Sequence, residues 1–370
     1  MAKHESLASE RPGRRAGIRR LVYRPDTSKS SSPSGGGKWQ DNRSWSAIKE
    51  QLRLTVRHAP EVVINVKGSR RSKDDDRAAI GSVLRYMMYI SRNGRLLSSN
   101  ERGDRIDGRD AISETHASWN LDMQRMRSGK NEQLHPAFNI IFSMPAATDP
   151  DKLLDAVAAV ALQPFQGHQY LMALHTPETD PAEDAPPHPH VHLVLRAESE
   201  SGHRMHIRKA DLRKWREQFA AELRARGIEA NATSRAERGK SLKPKSGAEW
   251  HIQKRYEANL QNGKSAEPPR AKVARFQQVA HDVQDGEIRE KPWELAMAAR
   301  RRDVLRGLSE SVTRLRHEGE NALADQVVRF IQELPPLDTE RHQIERALVD
   351  QVKRRLHEYG HDKESDFIPK

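Results

Sequence analysis

The sequence predicts an α+β chain, on three observations. Short β-branched or apolar runs of strand length occur at Glu61–Val66, Phe138–Met144, Gln169–His175 and His190–Arg196. Stretches between them, such as Asp76–Ile90 and Pro150–Ala161, repeat apolar residues at helical spacing, and long insertions separate the elements. Beyond Trp293 the pattern is helical alone, so an α+β or split βαβ layer precedes a helical C-terminal region.

Each element has its local reason. Residues 1–55 open with the basic cluster Arg11-Pro-Gly-Arg-Arg15 and pass through Ser30-Ser-Ser-Pro-Ser-Gly-Gly-Gly37. So little apolar side chain cannot offset the entropy of ordering, which predicts a flexible basic arm. Glu61–Val66 is closed as a strand by Gly68-Ser69. Asp74, Asp75 or Asp76 caps a helix carrying Ile80, Val83, Leu84 and Met87 on one side, and Asn93-Gly94 ends it. Pro145 stops the second strand. Pro150–Ala161 aligns Leu153, Leu154, Val157 and Val160; Lys209–Arg226 aligns Leu212, Trp215, Phe219 and Leu223. From 243 to 286 the periodicity weakens around Pro268-Pro269, which predicts a linker, and residues 287–370 read as a helical bundle or hairpin. The predicted divisions are therefore an arm (1–55), an α+β domain (56–242), a linker (243–286) and a helical region (287–370).

Composition bounds the function. Only 35% of the 370 residues are hydrophobic and 31% are charged, so one core cannot extend through the whole chain. The net charge of +12, from 64 Lys+Arg against 52 Asp+Glu, points to a polyanionic partner, nucleic acid ahead of a membrane surface. The absence of cysteine excludes disulfides, thiolate metal sites and thiol catalysis, and suits a reducing cytoplasm. No apolar run approaches the ~20 residues of a membrane span, and no signal-peptide core follows Met1. The expectation is a soluble cytoplasmic protein.

Chemistry concentrates in His188-Pro-His-Val-His192. In a strand, alternation puts His188, His190 and His192 on one face and Val191, Leu193 and Leu195 on the other. Imidazoles so arranged can hold a cation, or form a merely polar strand face. His175, closing the preceding strand run, supplies a third ligand if the two strands are neighbours, and three protein ligands with an open position typify a catalytic metal. His188 remains a spare, able to orient a ligand or touch substrate. The Thr176–Pro187 loop offers Glu178, Asp180, Glu183 and Asp184 as partners for a histidine, with ordinary loop acidity as the alternative. A cation in a basic protein suggests phosphodiester chemistry, with water or a tyrosine as nucleophile. Tyr86 and Tyr89 sit in one predicted helix, and Tyr89 lies at its end beside Arg92 and Arg95; spacing alone favours core packing of either ring over a nucleophile.

At these residues the chain resembles the relaxases, the mobilization nucleases of conjugative plasmids, and most closely the type that processes transferred-DNA borders. Tyr89-Ile-Ser-Arg-Asn-Gly-Arg95 resembles the family's nucleophile motif and His188-Pro-His-Val-His-Leu-Val194 its histidine motif. Thr233-Ser-Arg-Ala-Glu-Arg-Gly239 and Phe142-Ser-Met-Pro145 resemble two further strings, so the likeness covers roughly residues 60–240. It implies an HUH-type endonuclease fold, in which a central antiparallel sheet flanked by helices holds a three-histidine site beneath a tyrosine-bearing helix. Tyr89 would be the nucleophile that nicks one strand at a transfer origin through a 5′-phosphotyrosine link. His175, His190 and His192 would hold a divalent cation, magnesium or manganese foremost and zinc as the alternative. Accessory candidates are Tyr86, Arg92, Glu178, Asp180 and His188, and candidate DNA contacts are Arg95, Arg208, Arg235 and Arg238. Implied partners are origin DNA, accessory DNA-binding mobilization proteins and a type IV secretion coupling protein. Pro177 stands where the family pattern has an aspartate, and Asn139 where a strand histidine aligns. A rolling-circle replication initiator, or an origin-binding protein without cleavage, are the alternatives.

Overall fold

A computed structural model describes residues 44–69, 76–122, 134–180, 186–242, 245–285 and 290–365. The α+β expectation holds: six strands form one wholly antiparallel sheet in the order β1-β4-β6-β5-β2-β3. The strands are β1 (Val63–Gly68), β2 (Ser98–Asn100), β3 (Arg105–Ile106), β4 (Ala137–Ser143), β5 (Tyr170–His175) and β6 (His190–Arg196). All seven residues of β6 are buried, because it lies mid-sheet with both faces covered. The helices beside the sheet are α2 (Asp76–Ile90), α3 (Arg109–Ser118), α4 (Pro150–Ala161) and α5 (Lys209–Ala225). Ahead of them stands α1 (Trp45–Val56), and after them come α6 (Gly247–Gln261), α7 (Arg270–Gln284), α8 (Pro292–His317), α9 (Asn321–Glu333) and α10 (Glu340–Ser365). Among the described residues no helix is long and apolar enough to cross a membrane.

Strand alternation divides the core. Val191, Leu193 and Leu195 of β6 join Ile140 and Phe142 of β4 against Leu153 and Val157 of α4 and Trp215, Phe219 and Leu223 of α5. Fully burying each such side chain contributes about 1.5–3 kcal/mol. The rings interlock edge to face, Phe142 with Phe219 at 5.3 Å and Phe165 with Trp215 at 5.1 Å between centroids. On the opposite face Leu171, Ala173 and Val194 meet Val83, Met87 and Ile90 of α2 with Ile112 and Trp119 from α3 and its end. The start of α4 follows from Asp149 and Pro150: Asp149 Oδ1 accepts from Asp151 N at 3.0 Å and Lys152 N at 3.2 Å, while proline suits the first helical position.

Two predicted divisions are corrected. The flexible arm drawn to residue 55 includes α1, whose Leu52 packs with Val312 and Leu315 of α8 and Leu323 and Val327 of α9. The remainder of the arm, residues 1–43, lies outside the described residues, as do Asp74 and Asp75. The linker drawn over 243–286 contains α6 and α7; Pro268-Pro269 does mark the break between them. Ser246 starts α6 by a reciprocal capping box with Glu249, a local signal strong enough to nucleate a helix without apolar periodicity. Glu294 of α8 ties down α10 through Arg341 (Nη2 to Oε2, 3.0 Å) and accepts from Thr339 Oγ1 at 2.9 Å.

Candidate active site

The three histidines meet because of strand register. His175 of β5 is the direct partner of His190 on β6, and His192 stands two residues along on the same face. All three are buried, and their ligand nitrogens lie within 4.8 Å of one another. Each ring has one nitrogen committed to a neighbour. His175 Nε2–H donates to the Ile90 carbonyl at 2.8 Å, His190 Nδ1–H to the His188 carbonyl at 3.1 Å, and His192 Nδ1–H to Asn139 Oδ1 at 3.3 Å. These tautomers are assigned from the acceptors. They leave the Nε2 lone pairs of His190 and His192, the form in which imidazole binds a metal, while the remaining lone pair of His175, on Nδ1, faces Arg92 Nη2 at 3.2 Å.

The electrostatics keep the rings neutral. Burial lowers His175 to about 4, with Arg92 adding to the effect and the Ile90 bond opposing it. Burial lowers His192 further, to about 2, reinforced by His175 and His190. His190 is lowered by the same desolvation. Three neutral nitrogen donors converging under cover fit a divalent cation, and nitrogen ligands suit manganese or zinc better than magnesium, which prefers oxygen.

Tyr89 borders this triad from the end of α2. Its ring centroid lies 5.7 Å from that of His192 and 6.2 Å from that of His175, and the residue is 51% exposed. The turn after it explains the string Ser91-Arg-Asn-Gly94. Ser91 Oγ donates to the Met87 carbonyl at 2.8 Å and accepts from Gly94 N at 3.2 Å, closing the helix. Arg92 (φ 51°), Asn93 (φ 58°) and Gly94 (φ 80°) are all left-handed, the turn that reverses the chain. At Gly94 a Cβ would stand 2.3 Å from Arg109 N, so only glycine allows the backbone to pass.

Of the two loop acids, Asp180 rather than Glu178 lies beside the histidines. Thr176 O accepts from both Thr179 N and Asp180 N at 3.1 Å, a turn that brings Asp180 back to the sheet end. There Asp180 Oδ2 is 2.6 Å from Arg92 Nη2 and 4.0 Å from His175 Nδ1, while Glu178 is exposed. His188 contributes its carbonyl to His190, its ring 5.9 Å from that of His190 and outside the triad. Tyr86 is part-buried against the second core, the packing role that spacing allowed.

The basic candidates divide. Arg95 and Arg208 are exposed, Arg95 Nε donating to the Arg92 carbonyl at 3.2 Å. Arg235 is exposed and hydrogen-bonds the Leu242 carbonyl. Arg238 instead turns toward Glu61, Nε to Oε1 at 3.5 Å, while Thr233 N and Oγ1 also donate to that carboxylate. Burial raises the Glu61 pKa, against these partners. Glu61 thus anchors the Thr233–Gly239 string from 172 positions away, a pairing with no signal in the sequence. Lys67 was also missed: it is exposed on β1, opposite Asn139, on the face that carries the histidines.

Residues 89–228 match the family model described as "Relaxase: MobA/VirD2-like, nuclease domain". No curated protein sequence matches the chain. A solved structure from Staphylococcus aureus, "Molecular Basis of Vancomycin Resistance Transfer in Staphylococcus aureus", is similar at 14% identity and a TM-score of 0.30, covering 47% of this chain and 99% of its own. The family match begins on Tyr89 and encloses all three histidines, so the part of the chain that carries the site, residues 89–228, is similar to the MobA/VirD2-like relaxase nuclease domain.

Proposed function

We propose that this chain nicks one strand of DNA at a transfer origin by tyrosine transesterification, as the first step of conjugative mobilization. The observation that carries the reading is the exposed Tyr89 phenol ring at 5.7 and 6.2 Å from two members of a buried, neutral histidine triad. Tyr89 Oη attacks the scissile phosphorus, the bond to the 3′ oxygen breaks, and a 5′-phosphotyrosine with a free 3′-hydroxyl results. A divalent cation held by His175, His190 and His192 would act as a Lewis acid on the scissile phosphate. The side chains of α2 and β6 do the positioning, since strand register and the Ser91 helix cap fix both halves before substrate arrives. Asp180, 4.0 Å from His175 Nδ1, supports cleavage over the non-cleaving reading, which rested on the missing aspartate at Pro177. The Thr233–Gly239 string favours mobilization over rolling-circle initiation. Origin DNA, accessory mobilization proteins and a secretion coupling protein are the partners proposed on this reading, in keeping with the net charge of +12.

A covalent-complex gel tests it. With manganese and single-stranded origin oligonucleotide, the wild-type chain and Tyr86→Phe should each become linked to DNA, and Tyr89→Phe or chelator should abolish the adduct. An adduct that survives Tyr89→Phe but not Tyr86→Phe moves the nucleophile to Tyr86, one indifferent to both substitutions overturns the tyrosine assignments, and no adduct from the wild-type chain sinks the enzymatic reading.

A further inference from the structure

Arg92 stands where the cleavage step needs a positive charge. Its Cζ lies 5.1 Å from the Tyr89 ring centroid, and its Nη2 lies 3.2 Å from His175 Nδ1 and 2.6 Å from Asp180 Oδ2. Its Nε is buried and has no hydrogen-bond partner. A buried guanidinium nitrogen without an acceptor is uncommon in folded proteins and calls for a reason. Nucleophile and ligand flank this group, so any phosphate attacked by Tyr89 beside the triad comes within its reach. Asp180 is only 8% exposed and holds the guanidinium by one nitrogen, leaving the others for an anion.

We infer, resting on the cleavage reading above, that Arg92 is a catalytic residue that donates to a non-bridging oxygen of the scissile phosphate, with Asp180 as the positioning residue that holds it there. As the bond from Tyr89 Oη to phosphorus forms and the bond to the 3′ oxygen breaks, the phenolic proton passes to solvent and the departing oxygen takes one up. Arg92 exchanges no proton in this step, and the guanidinium charge offsets the negative charge carried by the equatorial oxygens. A purely structural Arg92, bracing His175 alone, would be indifferent to the charge on that phosphate.

The test exploits this difference in a chain that cannot cleave. A single-stranded oligonucleotide is first selected from a random pool by covalent capture on the wild-type chain with manganese. The same oligonucleotide is then made with stereopure methylphosphonates at the captured linkage, which remove the charge of one oxygen. In the Tyr89→Phe background, Arg92→Gln should weaken binding of the phosphodiester by about tenfold or more, and should leave binding of at least one methylphosphonate isomer unchanged. Asp180→Ala should give a smaller loss with the same dependence on the linkage, and no added loss in combination with Arg92→Gln. With Tyr89 present, Arg92→Gln should slow adduct formation by about 10²–10³-fold. Equal penalties on phosphodiester and both methylphosphonates would overturn the assignment and leave Arg92 a brace. Arg92→Lys, which keeps the charge, carries the same comparison should Arg92→Gln fold poorly. If the wild-type chain captures no oligonucleotide, the cleavage reading itself fails and this inference falls with it.

Discussion

Acid should destabilise this fold in a way that traces to individual imidazoles. An unperturbed histidine titrates at 6.5, whereas burial lowers His175 to about 4 and His192 to about 2 in the folded chain. Between those values and 6.5 the unfolded chain binds more protons than the folded one, so stability present above pH 6.5 is lost as pH falls below it. At about pH 5 the unfolded value lies about 1.5 units above the pH, which at ~1.36 kcal/mol per unit costs about 2 kcal/mol for each histidine. Below about 4 the His175 contribution saturates while that of His192 continues to grow. Urea unfolding in the presence of a chelator, at about pH 7.5 and about pH 5, gives the loss as a shift in midpoint at constant slope. His192→Asn cannot take up the proton and can still bond Asn139, so it should lose about 2 kcal/mol less than wild type over the same interval. Carboxylate contributions are common to both chains and cancel in the difference. An equal acid loss in wild type and His192→Asn would refute the argument that burial holds this ring neutral.

Three further outcomes follow from the same geometry. Asn139→Leu removes the acceptor at 3.3 Å that orients His192 and should weaken manganese binding by about 10–100-fold in an electron-spin-resonance titration, while Asn139→Asp keeps it; unchanged affinity in the leucine variant would remove Asn139 from the site. Lys67→Ala, on the exposed histidine-side face of β1, should lower the salt dependence of oligonucleotide binding by about 0.7 in log–log slope, and an unaltered slope places the DNA elsewhere. Gly94→Ala combines φ 80° with a Cβ 2.3 Å from Arg109 N, so melting should report a loss above about 1 kcal/mol together with slower adduct formation; a variant of wild-type stability would mean the turn relaxes freely.

What the sequence displays depends on whether a local pattern carries it. The histidine face is legible because β6 is regular and its period of two exposes His190 and His192 together. The end of α2 is legible because Asn93-Gly94 requires left-handed backbone. Asp180 is not distinguishable from the other acids of its loop, since its selection depends on the Thr176 turn folding back onto Arg92. Glu61 joins Thr233 across 172 positions, and the three-residue β2 and two-residue β3 are too short to show a period at all. In α1 the apolar face is intelligible only with its partners in place.

Those partners change what truncation should do. A cut after residue 285 is the natural way to ask whether the nuclease domain works without the helical region, and sequence division alone predicts that oligonucleotide cleavage survives it. The fold predicts otherwise. Removing α8 and α9 exposes Leu52 and its part-buried neighbours Trp45, Ile48 and Val56, and takes away the Glu320 that pairs with Arg53 at 3.0 Å. Yet α1 is also bound to the nuclease side, where Thr55 Oγ1 accepts from Asn231 Nδ2 at 3.0 Å, two residues before Thr233. A bare C-terminal deletion should therefore aggregate or lose adduct formation through α1, with no direct role for α8 or α9 in chemistry. The same deletion with Trp45, Ile48, Leu52 and Val56 changed to polar residues should recover solubility and adduct formation. Should the repaired chain be soluble, folded and still unable to form the adduct, α8 to α10 belong to the cleavage machinery itself, and α1 is only their tether.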